Sequence, residues 1–196
     1  MKFLVIVLFV FWIYLLSVLK RGKLSFWYFL AGSVGTFIFL LLWIQPLLTT
    51  PLTNGVAVAA GFLGDLTGFY KSYFQYGVLF INSKNYNISL YIDYECSGII
   101  EIMAFSSMLW YFSVYHVYEK VIINILGFFW IFAANVTRIF IICTLIYYYG
   151  NDIFYFAHTI FGRLVFYGLS IALYFHVFTR PQIIRQKIGS FHYENS

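Results

Sequence analysis

The chain has 196 residues, of which 62% are hydrophobic, 24% aromatic and only 10% charged, a balance that excludes a soluble globular domain. The net charge of +5 does not indicate nucleic-acid binding, because the basic residues form short clusters beside apolar runs. Several apolar runs approach the roughly 20 residues that cross a bilayer, so the composition predicts a membrane protein with helical spans.

The first predicted span covers residues 3–19 and is followed at once by Lys20, Arg21 and Lys23. A secretory signal carries its positive charge before the apolar core, so this order favours a retained span with its N-terminus outside. A second span, residues 24–48, returns the chain outward.

Residues 49–95 are predicted to lie on the outer side. Residues 52–70 are apolar but contain four glycines and Asp65, which favours an amphipathic helix at the outer interface; a sixth span is the competing interpretation. Two β-prone runs around the turn-like SKNYN then predict a short extracytoplasmic hairpin that leads to Cys96.

Three further spans, residues 98–117, 121–148 and 159–178, are expected to form a core over residues 96–179, and residues 180–196 a cytoplasmic tail. We find no internal repeat or linker, so the chain is predicted to be one integral membrane domain. The fold class is all-α and polytopic, with about five transmembrane helices, or six if the interfacial segment spans.

The distribution of Lys and Arg favours an N-out, C-in orientation, with seven in predicted cytoplasmic segments and three in outer ones. The seven are Lys20, Arg21, Lys23, Lys120, Arg180, Arg185 and Lys187, and the three are Lys2, Lys71 and Lys84. Arg138 and Arg163 fall inside predicted spans, where a charge costs about 2.5–3.5 kcal/mol at a helix centre, so both are functional candidates.

Three polar residues are predicted to meet at one depth. Cys96 lies at the outer end of the third span and His158 at the outer start of the fifth, while Arg138 lies about ten residues, or roughly 15 Å, from the outer end of the fourth. Nearby positive charge favours the thiolate of a cysteine, and a histidine can move a proton near neutral pH. This arrangement is typical of a nucleophilic active site, with Arg138 suited to holding an oxyanion.

Neighbouring residues are predicted to orient the substrate or the catalytic groups: Asn135, Ser97, Gly98 and Arg163. Asn135 shares a helix face with Arg138. Cys143 is rotated by about 140° from Arg138 and is not expected in the pocket.

Structural interpretations of the same residues remain open. Cys96 can be a packing residue and His158 an interfacial histidine. Arg138 can pair with Glu101 or Asp152, and Arg163 with Glu101 as a buried ion pair. Two cysteines without CxxC, HExxH or paired Cys/His spacing predict neither a metal site nor a cofactor.

With ECSGII around Cys96, NVTRI around Arg138 and FAHTIFG around His158, in that order, the chain resembles the exosortase/archaeosortase family of membrane-embedded cysteine transpeptidases. GFLGDLTG before the hairpin also looks like the family's pre-catalytic region. The resemblance covers roughly residues 50–180, and the short chain looks like a compact variant.

The resemblance implies a Cys/Arg/His active site that faces the extracytoplasmic side of the cell membrane. The expected substrate is an exported protein with a C-terminal sorting signal: a short motif, a transmembrane helix and a basic tail. Cys96 would form a thioester, and a lipid or glycan-precursor acceptor would take the acyl group, or water would, making the site a protease. The alternative is a non-catalytic assembly or transport component that uses its intramembrane arginines.

Overall fold

The computed structural model describes residues 2–83, 86–92 and 96–184. Within them, six α-helices and one three-stranded sheet follow each other along the chain. The helices are α1 (Lys2–Arg21), α2 (Ser25–Trp43), α3 (Gln45–Thr67), α4 (Ile99–Tyr111), α5 (Val117–Tyr149) and α6 (Gly162–Tyr174), and the strands are β1 (Tyr70–Tyr73), β2 (Val78–Ser83) and β3 (Tyr86–Tyr91). The predicted all-helical membrane fold with a small hairpin is confirmed.

Four helical segments are long and apolar enough to cross a membrane in the part of the chain that the structure describes: Ser25–Trp43, Gln45–Thr67, Val117–Tyr149 and Asn151–Ile184. The second of them contains most of the segment predicted to lie at the interface. Helix Gln45–Thr67 therefore has the length and composition of a sixth transmembrane span. The alternative, that residues 52–70 lie at the membrane interface, stays a prediction.

The helices α1 and α2 form an antiparallel pair whose connecting turn carries the first basic cluster. The Trp12 indole N–H donates to the Ala31 carbonyl at 2.9 Å, and the α2 residue Tyr28 packs its ring on Tyr111 at the far end of α4. The ring of Phe178, close to Arg180, packs on Phe112 at that same end. The basic residues of these turns therefore gather at the end of the bundle opposite Cys96. Which side of the membrane this end faces stays a prediction.

Helix α4 is shorter than the third predicted span, residues 98–117. Helix α4 has only 13 residues, about 20 Å, because Phe112 leaves it in an extended conformation. Helix α5 then begins at Val117, four residues earlier than predicted, through a capping box in which the His116 N–H donates to Glu119 at 2.7 Å. The Lys120 ammonium donates to the Trp110 carbonyl at 2.7 Å and closes the end of α4.

The sheet packs against α3 and the second half of α5. Its strands are antiparallel in the order β1-β2-β3, so the predicted hairpin gains a first strand at Tyr70–Tyr73. Gly64 allows this close approach, since a Cβ there would lie 2.6 Å from Tyr70. The Tyr70 hydroxyl donates to the Ala60 carbonyl at 2.6 Å. The turn residues at 84–85 lie outside the described residues.

Helix α5 is the central element of the half of the fold that contains Cys96. It has 33 residues, which gives a length of about 50 Å. It packs against α3, α4, α6 and the sheet. Its small residues allow close packing, since a Cβ at Gly127 would lie 2.2 Å from the Phe105 ring of α4.

Candidate active site

Cys96 lies between the sheet and the first turn of α4. Ser97 is fully buried, and its hydroxyl accepts a hydrogen bond of 3.4 Å from the Ile99 N–H. Gly98 caps the helix with a φ of 76°, a left-handed conformation that costs a residue with a side chain about 1–2 kcal/mol. This turn starts α4 immediately after the cysteine, so the positive end of the helix dipole lies beside the thiol.

Replacing Gly98 with alanine should therefore destabilise the protein by about 1–2 kcal/mol and lower the midpoint of thermal unfolding in detergent. Space is not the cause, because a Cβ would meet Ile131 and Asn135 at 3.5 and 3.7 Å. Gly55→Ala is the matched control, since a Cβ there also makes only ordinary contacts and the residue lies inside helix α3. Equal unfolding midpoints for the two variants would contradict the strain argument.

Arg138 projects from α5 towards this cysteine. Its Nη2 lies 3.8 Å from the Cys96 Sγ, and its guanidinium carbon lies 5.8 Å from the centre of the Phe166 ring. The side chain is only 5% exposed, and its Nε has no hydrogen-bond partner within residues 2–83, 86–92 and 96–184. A buried guanidinium with a free donor beside a thiol is suited to receiving an oxygen atom that carries negative charge.

Asn135, one turn before Arg138, connects α5 to the nucleophile loop. It is fully buried, and its amide Nδ2 donates to the backbone carbonyl of Cys96. The amide oxygen has no hydrogen-bond partner among the described residues. The bond holds Cys96 against α5 at the depth of Arg138, and a role of Asn135 in orienting the substrate or the catalytic groups stays a prediction.

His158 approaches from the third side, on the helix that leads into α6. Its Nε2 lies 3.5 Å from the Cys96 Sγ, and its ring stacks on Phe154 with centres 5.8 Å apart. The backbone is π-helical over Phe156–Phe161. Such segments often occur at functional sites, because the extra residue in the turn changes the direction of a side chain.

Close packing of α6 on α5 fixes the position of His158. A Cβ at Gly162 would lie 2.7 Å from the Ile142 side chain, so only glycine allows the two helices to come this close. Ala157, beside the histidine, is fully buried in the same contact region. The histidine is therefore held by rigid backbone on both sides.

The structure brings the three predicted catalytic side chains into one cluster. The thiol lies within 4 Å of both an imidazole nitrogen and a guanidinium nitrogen. Both neighbours can carry positive charge, so the cluster favours the thiolate form of cysteine. The arrangement has a nucleophile, a group that can transfer its proton and a fixed cation for a developing oxyanion.

Other predicted residues lie elsewhere. Cys143 is fully buried in the core formed by α3, α5 and the sheet. Arg163 is exposed and lines a hollow on the surface of α6. Glu101, in the first turn of α4, is half-buried and lies within electrostatic range of Arg138.

Two aromatic members of the site were not predicted from the sequence. Phe154 stands four residues before His158, a helical spacing that indicates ring stacking, but it lies between the predicted spans 121–148 and 159–178. Phe166, which faces the Arg138 guanidinium, has no such signal because the contact joins two different helices.

The fold and site define a polytopic membrane protein with a cysteine, histidine and arginine cluster at one end of its helical bundle. The family model of the transmembrane exosortases matches residues 1–176, about nine-tenths of the chain, so the chain belongs to this family. Membership makes it, in general terms, a membrane-embedded sorting transpeptidase. Comparison with curated proteins gave no match, and comparison with solved structures gave none.

Proposed function

We propose that this protein cuts the C-terminal sorting signal of exported proteins with Cys96 as the nucleophile. The observation that supports this most directly is the position of the Cys96 Sγ, 3.5 Å from the His158 Nε2 and 3.8 Å from the Arg138 Nη2. A packing cysteine would not need either neighbour. Because Arg138 is buried, its charge interacts more strongly with neighbouring charges than it would in water.

In the first half-reaction, His158 takes the proton of the Cys96 thiol, and the sulfur attacks the peptide carbonyl carbon. The carbonyl oxygen gains negative charge and is held by Arg138, which has a free Nε donor. When the carbon–nitrogen bond breaks, His158 returns its proton to the leaving amine. The product is a thioester at Cys96 and a released C-terminal segment.

In the second half-reaction, an acceptor takes the acyl group. His158 removes a proton from the acceptor's hydroxyl or amine, which attacks the thioester carbonyl and releases the Cys96 thiolate. A lipid or glycan precursor at the membrane surface is the acceptor that we propose, and water would give hydrolysis instead. The site would face the extracytoplasmic side of the cell membrane, where exported proteins emerge.

The experiment that tests this proposal is mass spectrometry of C-terminal peptides from surface and membrane proteins. Native cells are compared with cells that carry Cys96→Ala at matched expression. We expect one or a few proteins to lose a hydrophobic, basic-tailed C-terminus only when Cys96 is present. If no C-terminus differs between the two cell lines, the catalytic role of Cys96 is rejected.

The two cysteines should also differ in their reactivity. Cys143 has no exposed surface, whereas Cys96 lies beside two cationic groups that favour its thiolate. In membranes near neutral pH, N-ethylmaleimide should modify a Cys143→Ala protein at least about tenfold faster than a Cys96→Ala protein. Similar rates, read from intact mass over time, would show that Cys96 is not activated.

A further inference from the structure

The helices α4 and α6 both pack on α5 but leave a gap between their backbones. Aromatic rings connect the two helices: Phe105 packs on Tyr174, and Phe112 on Phe178. Beside these rings lies a cavity of about 600 Å³ that is open to the surface, lined by Glu101 of α4 and by residues of the α6 segment, among them Ser170. The cavity therefore follows the histidine helix and includes one residue of the nucleophile helix.

A second hollow extends the cavity towards the active site. It is lined by Thr159, Arg163 and Tyr167, and it shares Tyr167 and Ile171 with the cavity. We call the combined surface the α4/α6 groove; it runs along the α6 segment from Thr159, next to His158, to Thr179, and Glu101 is its one lining residue from α4. Twenty helical residues span about 30 Å, which is the thickness of the hydrocarbon layer.

The groove carries features that a surface in contact with lipid alone does not need. The Ser170 hydroxyl has no hydrogen-bond partner in the described part of the chain although the side chain is only 8% exposed, and it lines the cavity. Glu101 places a half-buried carboxyl in the same cavity. Lipid tails cannot satisfy either group, whereas a polar side chain on a neighbouring helix can.

Gly168 provides the close approach that packing of a second helix requires. It lies in the hollow, and a Cβ at this position would meet nothing within 4 Å, so the residue faces open space. Ala172 follows it at the spacing of four that brings small residues to one face. Glycine and alanine at this spacing are typical of contacts between transmembrane helices.

We infer that the α4/α6 groove receives the transmembrane helix of the protein substrate, with Ser170 and Glu101 binding a polar residue of that helix. The inference rests on the proposed function and adds the binding site to it. A helix in the groove has its end beside His158, so the peptide bond just outside the lipid lies at Cys96. A rival hollow lined by Ile123, Leu126 and Phe129 has no charged or hydroxyl-bearing residue in its lining and does not include a neighbour of His158.

Photo-crosslinking tests which molecule lies in the α4/α6 groove. Benzoylphenylalanine replaces Leu164 or Ile171 in the groove, and Leu126 or Phe129 in the rival hollow, four positions that are 65%, 68%, 63% and 61% exposed. The protein carries Cys96→Ala so that uncut substrate stays bound. The probe is an epitope-tagged copy of the protein whose C-terminus Cys96 is found to cut.

We expect crosslinks to this probe from Leu164 and Ile171 and none from the control pair, and a probe truncated before its transmembrane helix should give none. Crosslinks only from the control pair, or a crosslink to a second copy of this chain, would overturn the groove assignment. If the protein with Cys96 intact cuts the probe normally but the Cys96→Ala protein gives no crosslink from the groove, the groove assignment is rejected and the proposed function stands. An absence of Cys96-dependent cutting would reject both.

Blocking the groove is the second test. Gly168→Trp places a large ring where the substrate helix would pack, and we expect cutting to fall by about tenfold or more. Leu126→Trp is the matched control on the rival hollow and should cut at the normal rate. N-ethylmaleimide should label Cys96 equally fast in both variants if each is folded. Normal cutting by Gly168→Trp would overturn the inference.

Discussion

Replacing Arg138 with lysine should lower the rate of substrate cutting by about 10²–10³-fold while leaving the protein inserted in the membrane. The guanidinium reaches the Cys96 Sγ with one nitrogen and keeps its Nε free for a second acceptor. An ammonium group keeps the charge but loses the planar set of donors. The measurement is the rate of appearance of the cut C-terminus in cells that express the variant at the native level.

Arg180→Lys is the control for this substitution, since Arg180 is exposed at the opposite end of the bundle. We expect it to cut at the normal rate. Near-normal cutting by Arg138→Lys would show that a point charge is sufficient and that the oxyanion is not held by the guanidinium.

Replacing His158 with glutamine should lower the rate of thioester formation by about 10²–10⁴-fold. Glutamine can still form a hydrogen bond at the 3.5 Å distance to the Cys96 Sγ, but it cannot take up a proton. The residual rate should rise with pH, because hydroxide must then remove the thiol proton. Thioester is measured as hydroxylamine-sensitive acyl-enzyme in membranes over a range of pH.

His176→Gln is the matched control, because His176 is exposed on the same helical segment, about three turns beyond Phe166, and its Nδ1 bonds locally to the Ala172 carbonyl at 2.8 Å. It should form thioester at the normal rate. A His158→Gln protein with an unchanged rate and pH profile would remove the histidine from the mechanism.

The helical spans could be predicted well because they depend on a local property. A run of apolar residues must form helix in lipid, since lipid offers no partner for backbone hydrogen bonds. The boundaries were less predictable where side chains from other elements decide them. Helix α4 ends at Tyr111 because Phe112 packs its ring against Phe29 and Phe178, residues from distant parts of the chain.

The candidate site could be predicted in part. Its three main residues were found because each was a polar group in an apolar region, and their predicted depths agreed. Phe166, Ser170 and the α4/α6 groove could not be predicted in the same way. An aromatic ring or a serine in a span has many structural roles, and a gap between two helices exists only once both pack on a third.

The sequence alone determined that this is a helical membrane protein, because the length of an apolar run is a local signal. It also determined that a cysteine, an arginine and a histidine lie in or at the ends of three successive spans, because an isolated polar residue in an apolar region is equally local. The tertiary structure decided that these residues meet. Cys96 is 42 residues from Arg138 and 62 from His158 along the chain, and contact arises only because α4 and the helix that carries His158 both pack on α5. Two local features, the left-handed turn at Gly98 and the π-helical segment around His158, then direct the thiol and the imidazole towards each other.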